Sequence, residues 1–171
     1  PVDVLTSLSR LMNQGMLIKD HKKISKRSNP LTPDPVVAKH GADTIRCYLM
    51  FLGPWDQGGD WSDSGINGIR RWLGRVWGLV QRDESILNGS DGERSLERAS
   101  HITTQRVTTD MESFKFNTSI AALMEYTTEL IRRFDAGDIS ANSWREGVDR
   151  LLLQIAPFAP HLAEELWERT G

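Results

Sequence analysis

The stretch DSGINGIRRWLGRVWGLV, Asp63 to Val80, decides the architecture. Ile66, Ile69, Leu73, Val76, Trp77 and Val80 recur at the 3.6-residue helical period, and Asp63 or Ser64 has the side chain that opens a helix by accepting one of its free N–H groups. The opposite side is basic, with Arg71, Arg75 and Arg82 at i, i+4 and i+11. Gly74 and Gly78 lie one turn apart in the same helix, where each is about 1 kcal/mol worse than alanine. They either admit a close-packed neighbouring helix or are a tolerated cost.

Downstream, the helical period repeats. After a polar loop from Asn88 to Arg94, a helix from about Leu96 to Phe114 turns Leu96, Ala99, Ile102, Val107, Met111 and Phe114 inward. A helix starting at Asn117 buries Ile120, Leu123, Met124, Thr127, Leu130, Ile131 and Phe134 until Gly137 stops it. Trp144, Val148, Leu151, Leu152 and Ile155 mark another, cut at Pro157, and Leu162 to Arg169 follows Pro160 as the last. Four or five antiparallel helices make residues 54–171 a bundle and the chain mainly α. Trp72, Trp77, Trp144 and Trp167 suit core positions better than exposed stacking platforms.

Upstream the pattern shortens. Gly53 to Gly65 is a glycine-bearing loop in which Trp55 and Trp61 pin the backbone by burial. Asp43 is placed to N-cap an apolar helix from Thr44 to Leu52, and Val36 to His40 gives a turn or two of helix stopped by Gly41. Asn29 to Pro35 holds three prolines and is expected to be irregular, a hinge. Met16 to Ile18 and Lys22 to Ser25 read as two short strands around an Asp20-His21 turn that lacks the strongest hairpin glycine. Val2, Leu5, Leu8 and Met12 stripe a helix from Val2 to Asn13, ended by Gly15. The chain opens at Pro1 inside this amphipathic pattern, so we expect a piece excised from a longer protein.

Charge excludes a global attraction to nucleic acid: 21 Lys and Arg oppose 23 Asp and Glu, a net of -2, so such contacts must be local. The single cysteine, Cys47, lies in the apolar run Ile45 to Leu52 and reads as an inert buried thiol. His21, His40, His101 and His161 lack metal-ligand spacing, so no metal site is expected. No secretory signal and no membrane-length apolar run is visible, which makes the reducing cytoplasm the expected compartment.

Lys23-Ile24-Ser25-Lys26-Arg27 carries the chemistry. Two lysines flanking a serine in a polar loop can bring flexible positive charge to a phosphate group. Taken alone, the same residues describe a solvated basic turn. Their neighbours favour the first reading.

With this loop, the proline segment and the helices in order, Gly15 to Val80 resembles the class I aminoacyl-tRNA synthetases, in their bacterial-type leucyl branch. The five positions from Lys23 to Arg27 match the motif usually written KMSKS, with two differences. Asn29, Pro33-Asp34, Gly41-Ala42-Asp43, Arg46, the run from Tyr48 to Pro54, Trp61-Ser62-Asp63 and Trp72 to Trp77 are similar to that branch. Phe116-Asn117-Thr118 and Ala156 to His161, leading to Trp167, extend the likeness over nearly the whole chain, with Ser85 to Ser113 least distinctive.

The resemblance implies an enzyme that activates leucine with ATP and Mg2+ and transfers it to tRNA(Leu). By position, Lys26 would bind ATP with Ser25 and stabilise the departing pyrophosphate, with Lys23 in support. Residues 1–53 would be the loop-bearing and connecting segment, and residues 54–171 an anticodon-binding-type bundle that grips tRNA by shape. Arg71, Arg75, Arg82 and Lys115 are the candidate phosphate contacts; the alternatives are arginines paired with acidic neighbours and an ordinary surface lysine. A monomer is expected. Arg27 replaces the usual closing serine, a customary glycine before Asn29 is absent and Pro30 stiffens the loop, as a non-catalytic paralogue binding RNA or a protein would also show. The family's first signature, HIGH, and its nucleotide-binding sheet have no counterpart, so the chain alone is expected to make no leucyl adenylate; leucine-dependent pyrophosphate exchange would reveal otherwise.

Overall fold

The computed structural model describes residues 12–25 and 32–170. The expected Val2–Asn13 helix, apart from Met12 and Asn13, therefore lies outside the described residues, as do Lys26 to Pro30. Seven α-helices and one small mixed sheet make up the described part: β1 (Met16–Lys19), β2 (Lys22–Lys23), α1 (Pro33–His40), α2 (Ala42–Phe51), β3 (Gly58–Asp60), α3 (Asp63–Val80), α4 (Glu93–Glu112), α5 (Phe116–Ala136), α6 (Ala141–Ile155) and α7 (Pro160–Thr170).

The expected hairpin is present. Ile18 pairs with Lys23 and Lys19 with Lys22, antiparallel. Asp20 and His21 take φ of 52° and 60°, the left-handed conformation of a turn whose twist matches the flanking strands, reached here without glycine. The sequence gives no sign of the third strand. β3 pairs parallel to β1, Met16 opposite Gly58, after a crossover through α1 and α2. Gly58 has φ +74°, and a Cβ there would collide with the Met16 carbonyl, so a side chain is excluded from this register.

Three expectations about helix starts need correction. The α3 helix is capped by neither Asp63 nor Ser64 but by the residue before them, Ser62, which puts Asp63 and Ser64 in the first turn. Pro33 and Pro35 do not lie in irregular chain but in the first turn of α1, where the N–H groups that proline lacks have no helical acceptor anyway. Asp43 is not an N-cap: Gly41 occupies that position, and Asp43 sits inside the first turn of α2. The Ser62 Oγ accepts the Gly65 N–H at 3.4 Å; Gly137 ends α5 as expected, at φ +65°, its N–H donating to the Arg133 and Phe134 carbonyls.

The core lies where the α3, α5 and α6 stripes meet. Ile66, Ile69, Val76, Ile120, Leu123 and Leu151 are buried, and Trp72 joins them with its Nε1–H donating to Thr127 Oγ1 at 3.1 Å. The α4 stripe differs from the expected one: Ile102 is exposed, whereas Ser100 and Thr103 are buried with Leu96 and Val107 at i, i+4, i+7 and i+11. These hydroxyls escape the desolvation penalty because Thr103 donates to the Ala99 carbonyl and Ser100 accepts from Arg150. Phe114 lies beyond α4, at φ +56° in the α4–α5 corner. Trp144 is core, Trp77 is half-buried, and Trp167 is 43% exposed, contrary to expectation, because it lies on the outer side of the terminal helix α7.

Candidate functional site

The hairpin holds the described part of the lysine motif on an open edge. Lys22 and Lys23 are exposed on β2, and the Ile24 N–H donates to the Leu17 carbonyl at 3.0 Å, so backbone pairing runs through Ile24. Lys26 and Arg27 lie outside the described residues. The base of the hairpin is anchored to the loop before α3: Gly15 donates to the Trp55 carbonyl at 2.8 Å, and Trp61 donates to that of Ile18 at 2.7 Å. Trp55 and Trp61 act as packing groups, Trp55 edge-on to Phe116 at 5.4 Å and Trp61 edge-on to Tyr48 at 5.2 Å.

The basic candidates separate into three settings. Arg71 and Arg75 are exposed on α3 and form no ion pair among the described residues. Gly68, Gly74 and Gly78 share that outer side, and nothing lies within 4 Å of where their Cβ atoms would stand. Close packing of a neighbouring helix of the described chain is thereby ruled out as their purpose. Arg82 is engaged: its Nη1 lies 2.6 Å from Asp135 Oδ1 and its guanidinium 4.7 Å over the Phe134 ring. Lys115 is exposed at the separate α4–α5 corner, where its backbone N–H donates to the Asp110 carbonyl.

The structure reveals polar groups that the sequence analysis missed. Arg133 is buried, with Nε 2.8 Å from Glu129 Oε1, Nη1 2.6 Å from Asp138 Oδ2 and Nη2 2.6 Å from Ser95 Oγ. Hydrogen bonding from Arg132 chiefly, and from Arg133, holds the Glu129 carboxyl below its ordinary range against the opposing effect of burial. The available signal was position, since Arg133 falls i+7 from Tyr126 and i+3 from Leu130 on a buried stripe. Burial pushes the Cys47 thiol up to about 12, with Asp43 adding to the effect, so the thiolate that a nucleophile requires does not form. No cluster of three or more metal-ligating side chains occurs among the described residues.

Asp43 and Arg46, one turn apart on α2, both reach the α6–α7 corner. The Asp43 carboxylate accepts the Leu162 N–H at 2.7 Å and lies 2.8 Å from His161 Nδ1. Arg46 donates to the carbonyls of Pro157 at 3.1 Å and Phe158 at 3.4 Å. No helix among the described residues is long and apolar enough to cross a membrane.

Comparison with known proteins places this geometry. A family model described as the anticodon-binding domain of tRNA ligase matches residues 93–171. The leucine–tRNA ligase of Dehalococcoides mccartyi strain 195 is 45% identical over 168 residues, covering 97% of this chain and 21% of that protein. That of Rubrobacter xylanophilus is 46% identical over 173 residues, covering 99% and 21%. Among solved structures, the ternary complex of Agrobacterium radiobacter K84 leucyl-tRNA synthetase with tRNA and LeuAMS superposes with a TM-score of 0.79 at 32% identity, over 93% of this chain and 22% of that one. Methionyl-tRNA synthetase of Mycobacterium tuberculosis, at a TM-score of 0.78 and 20% identity over 90% of this chain and 36% of that one, shares the fold. The chain spans about a fifth of the length of the curated relatives it matches.

Proposed function

We infer that this chain, which belongs to the leucine–tRNA ligases and corresponds to the part of them containing the anticodon-binding domain, serves in the ATP-dependent joining of leucine to tRNA(Leu). Residues 1–53 present the lysine motif to the nucleotide, and residues 54–171 dock the tRNA. In the reaction the leucine carboxylate displaces pyrophosphate from ATP, and the activated leucine then passes to a ribose hydroxyl of the tRNA. Mg2+ enters with the ATP as charge compensation on its phosphates. Lys26, with Ser25 beside it and Lys23 on the exposed hairpin edge, neutralises the negative charge that grows on the departing pyrophosphate. Ile24 and Arg27 complete the motif.

The observation that carries the tRNA half of this reading is the outer side of α3. Arg71 and Arg75 stand there without an acidic partner among the described residues, and Gly68, Gly74 and Gly78 on the same side leave the helix backbone open to a close approach. Clustered cations of this kind bind a phosphate backbone by releasing its counterions, without reading bases. Arg82, already paired with Asp135, and Lys115, at its separate corner, are secondary contacts. In a ligase carrying this chain, Arg75→Ala should weaken tRNA affinity and reduce the salt slope by about 1. Unchanged affinity and slope remove the assignment. The paralogue reading draws on Arg27 and Pro30; failure of that ligase to charge tRNA(Leu) would favour it.

A further inference from the structure

We propose that Asp43 and Arg46 are positioning residues that lock the lysine hairpin to the tRNA-docking bundle, an inference that rests on the function proposed above. The α6–α7 corner exposes two unlike sets of backbone groups: the Pro157 and Phe158 carbonyls of the turn that follows α6, and N–H groups in the first turn of α7 that have no acceptor within their own helix. A single turn of α2 satisfies both. Asp43 supplies the acceptor for the Leu162 N–H at 2.7 Å, with its negative charge at the positive end of α7, and Arg46 supplies donors to the Pro157 and Phe158 carbonyls. The side-chain hydrogen bonds of both residues run to residues 157–162 and not to their own helix, whose N-cap position is taken by Gly41.

From the other side of α2 the linkage continues to the hairpin. Tyr48 is buried, its hydroxyl oxygen accepts the Ser62 N–H at 2.6 Å, and its ring meets Trp61. Trp61 in turn donates to the Ile18 carbonyl on β1, the strand that leads into Lys23. One short helix thus spans from the strand bearing the lysines to the corner joining the last two helices. Loosening its clamp should leave ATP chemistry in place and misplace the bound tRNA relative to it.

The test uses a ligase carrying this chain, comparing leucine-dependent pyrophosphate exchange without tRNA against tRNA charging, with thermal unfolding followed alongside. Asp43→Ala and Arg46→Ala should each lower kcat/KM for charging about tenfold or more while exchange stays within about twofold. Asp43→Asn keeps an oxygen for the Leu162 N–H and should recover part of the loss; it also carries the test should the alanine variant fail to fold. Arg46→Lys, with one compact ammonium in place of a fork, should recover less. The proposal is overturned if charging is unaffected, or if charging and exchange fall together with the melting temperature, which is the signature of a merely structural contact. A parent ligase that neither exchanges nor charges defeats the functional reading itself before any variant is made.

Discussion

In the bundle, Ile66, Val76, Ile120, Leu123, Leu151 and Ile155 are fully buried, whereas no residue of the hairpin from Met16 to Lys23 is buried. The bundle is held by apolar area removed from water, about 25 cal/mol per Å2, a force without direction that tolerates small shifts of backbone. The hairpin and its third strand are held by paired backbone groups and by Gly58, and these depend on register. On the function proposed above, the helical body would keep the large ligand in place while the thin, exposed edge bearing Lys22 and Lys23 meets the small one. Stability and function are therefore separable: substitutions in the bundle should unfold the protein, and substitutions near the hairpin should leave its melting temperature almost untouched.

The largest expected effect comes from Trp144, which is buried on α6 with its ring 4.7 Å from that of Phe134. Trp144→Ala should remove about 3–5 kcal/mol through lost burial and the cavity it leaves. Chemical denaturation measures this; a loss under about 1 kcal/mol would break the division between the two regions.

Next is Arg133. Arg133→Ala leaves Glu129 and Asp138 without their shared cation and should destabilise the bundle by about 2 kcal/mol near neutral pH. The pH dependence has a definite sign. Glu129 has its carboxyl depressed in the folded state, so its contribution is present above the unfolded carboxylate value, about pH 4.3, and is lost as pH falls through the lower folded value. The Arg133→Ala protein should therefore show a shallower loss of stability below that pH than the parent. Equal slopes would mean that Arg132, the larger cause of the shift, holds Glu129 alone.

These two substitutions also mark what the sequence made legible. The α6 stripe through Trp144, Val148, Leu151 and Ile155 was readable because every member is apolar, and periodicity alone identifies such a face. Arg133, Ser100 and Thr103 were not, because a polar residue on a buried stripe is recognised only when its partner on another element is known. The same limit hid the clamp: Asp43 resembles a local cap in sequence, yet its partner is residue 162. The hairpin turn was visible at Asp20-His21, but β3 was not, since Gly58-Gly59-Asp60 has no strand propensity and pairs only because the chain returns alongside β1. Of the candidate site, the Lys23 edge and the exposed Arg71 and Arg75 followed from spacing; the engagement of Arg82 by Asp135 needed three dimensions.

Gly58→Ala tests the thin side of the molecule and should have the smallest effect on global stability. An L-residue at φ +74° is strained by about 1–2 kcal/mol, and the added methyl group would collide with the Met16 carbonyl oxygen. Since β1 and β3 share backbone pairs but contribute nothing to the buried cluster, the strain should be relieved by local separation of the two strands and not by unfolding of the helices. Amide exchange at Gly15 and Trp61, whose N–H groups donate to the Trp55 and Ile18 carbonyls, should quicken at least about tenfold, while the slowest amides of α5 and α6 keep their protection. Should the α5 and α6 amides lose protection in step with those two, the sheet and the bundle unfold as one unit. The lysine edge would then be as rigidly coupled to the bundle core as the helices are to one another, and the clamp on α2 would be one connection among many.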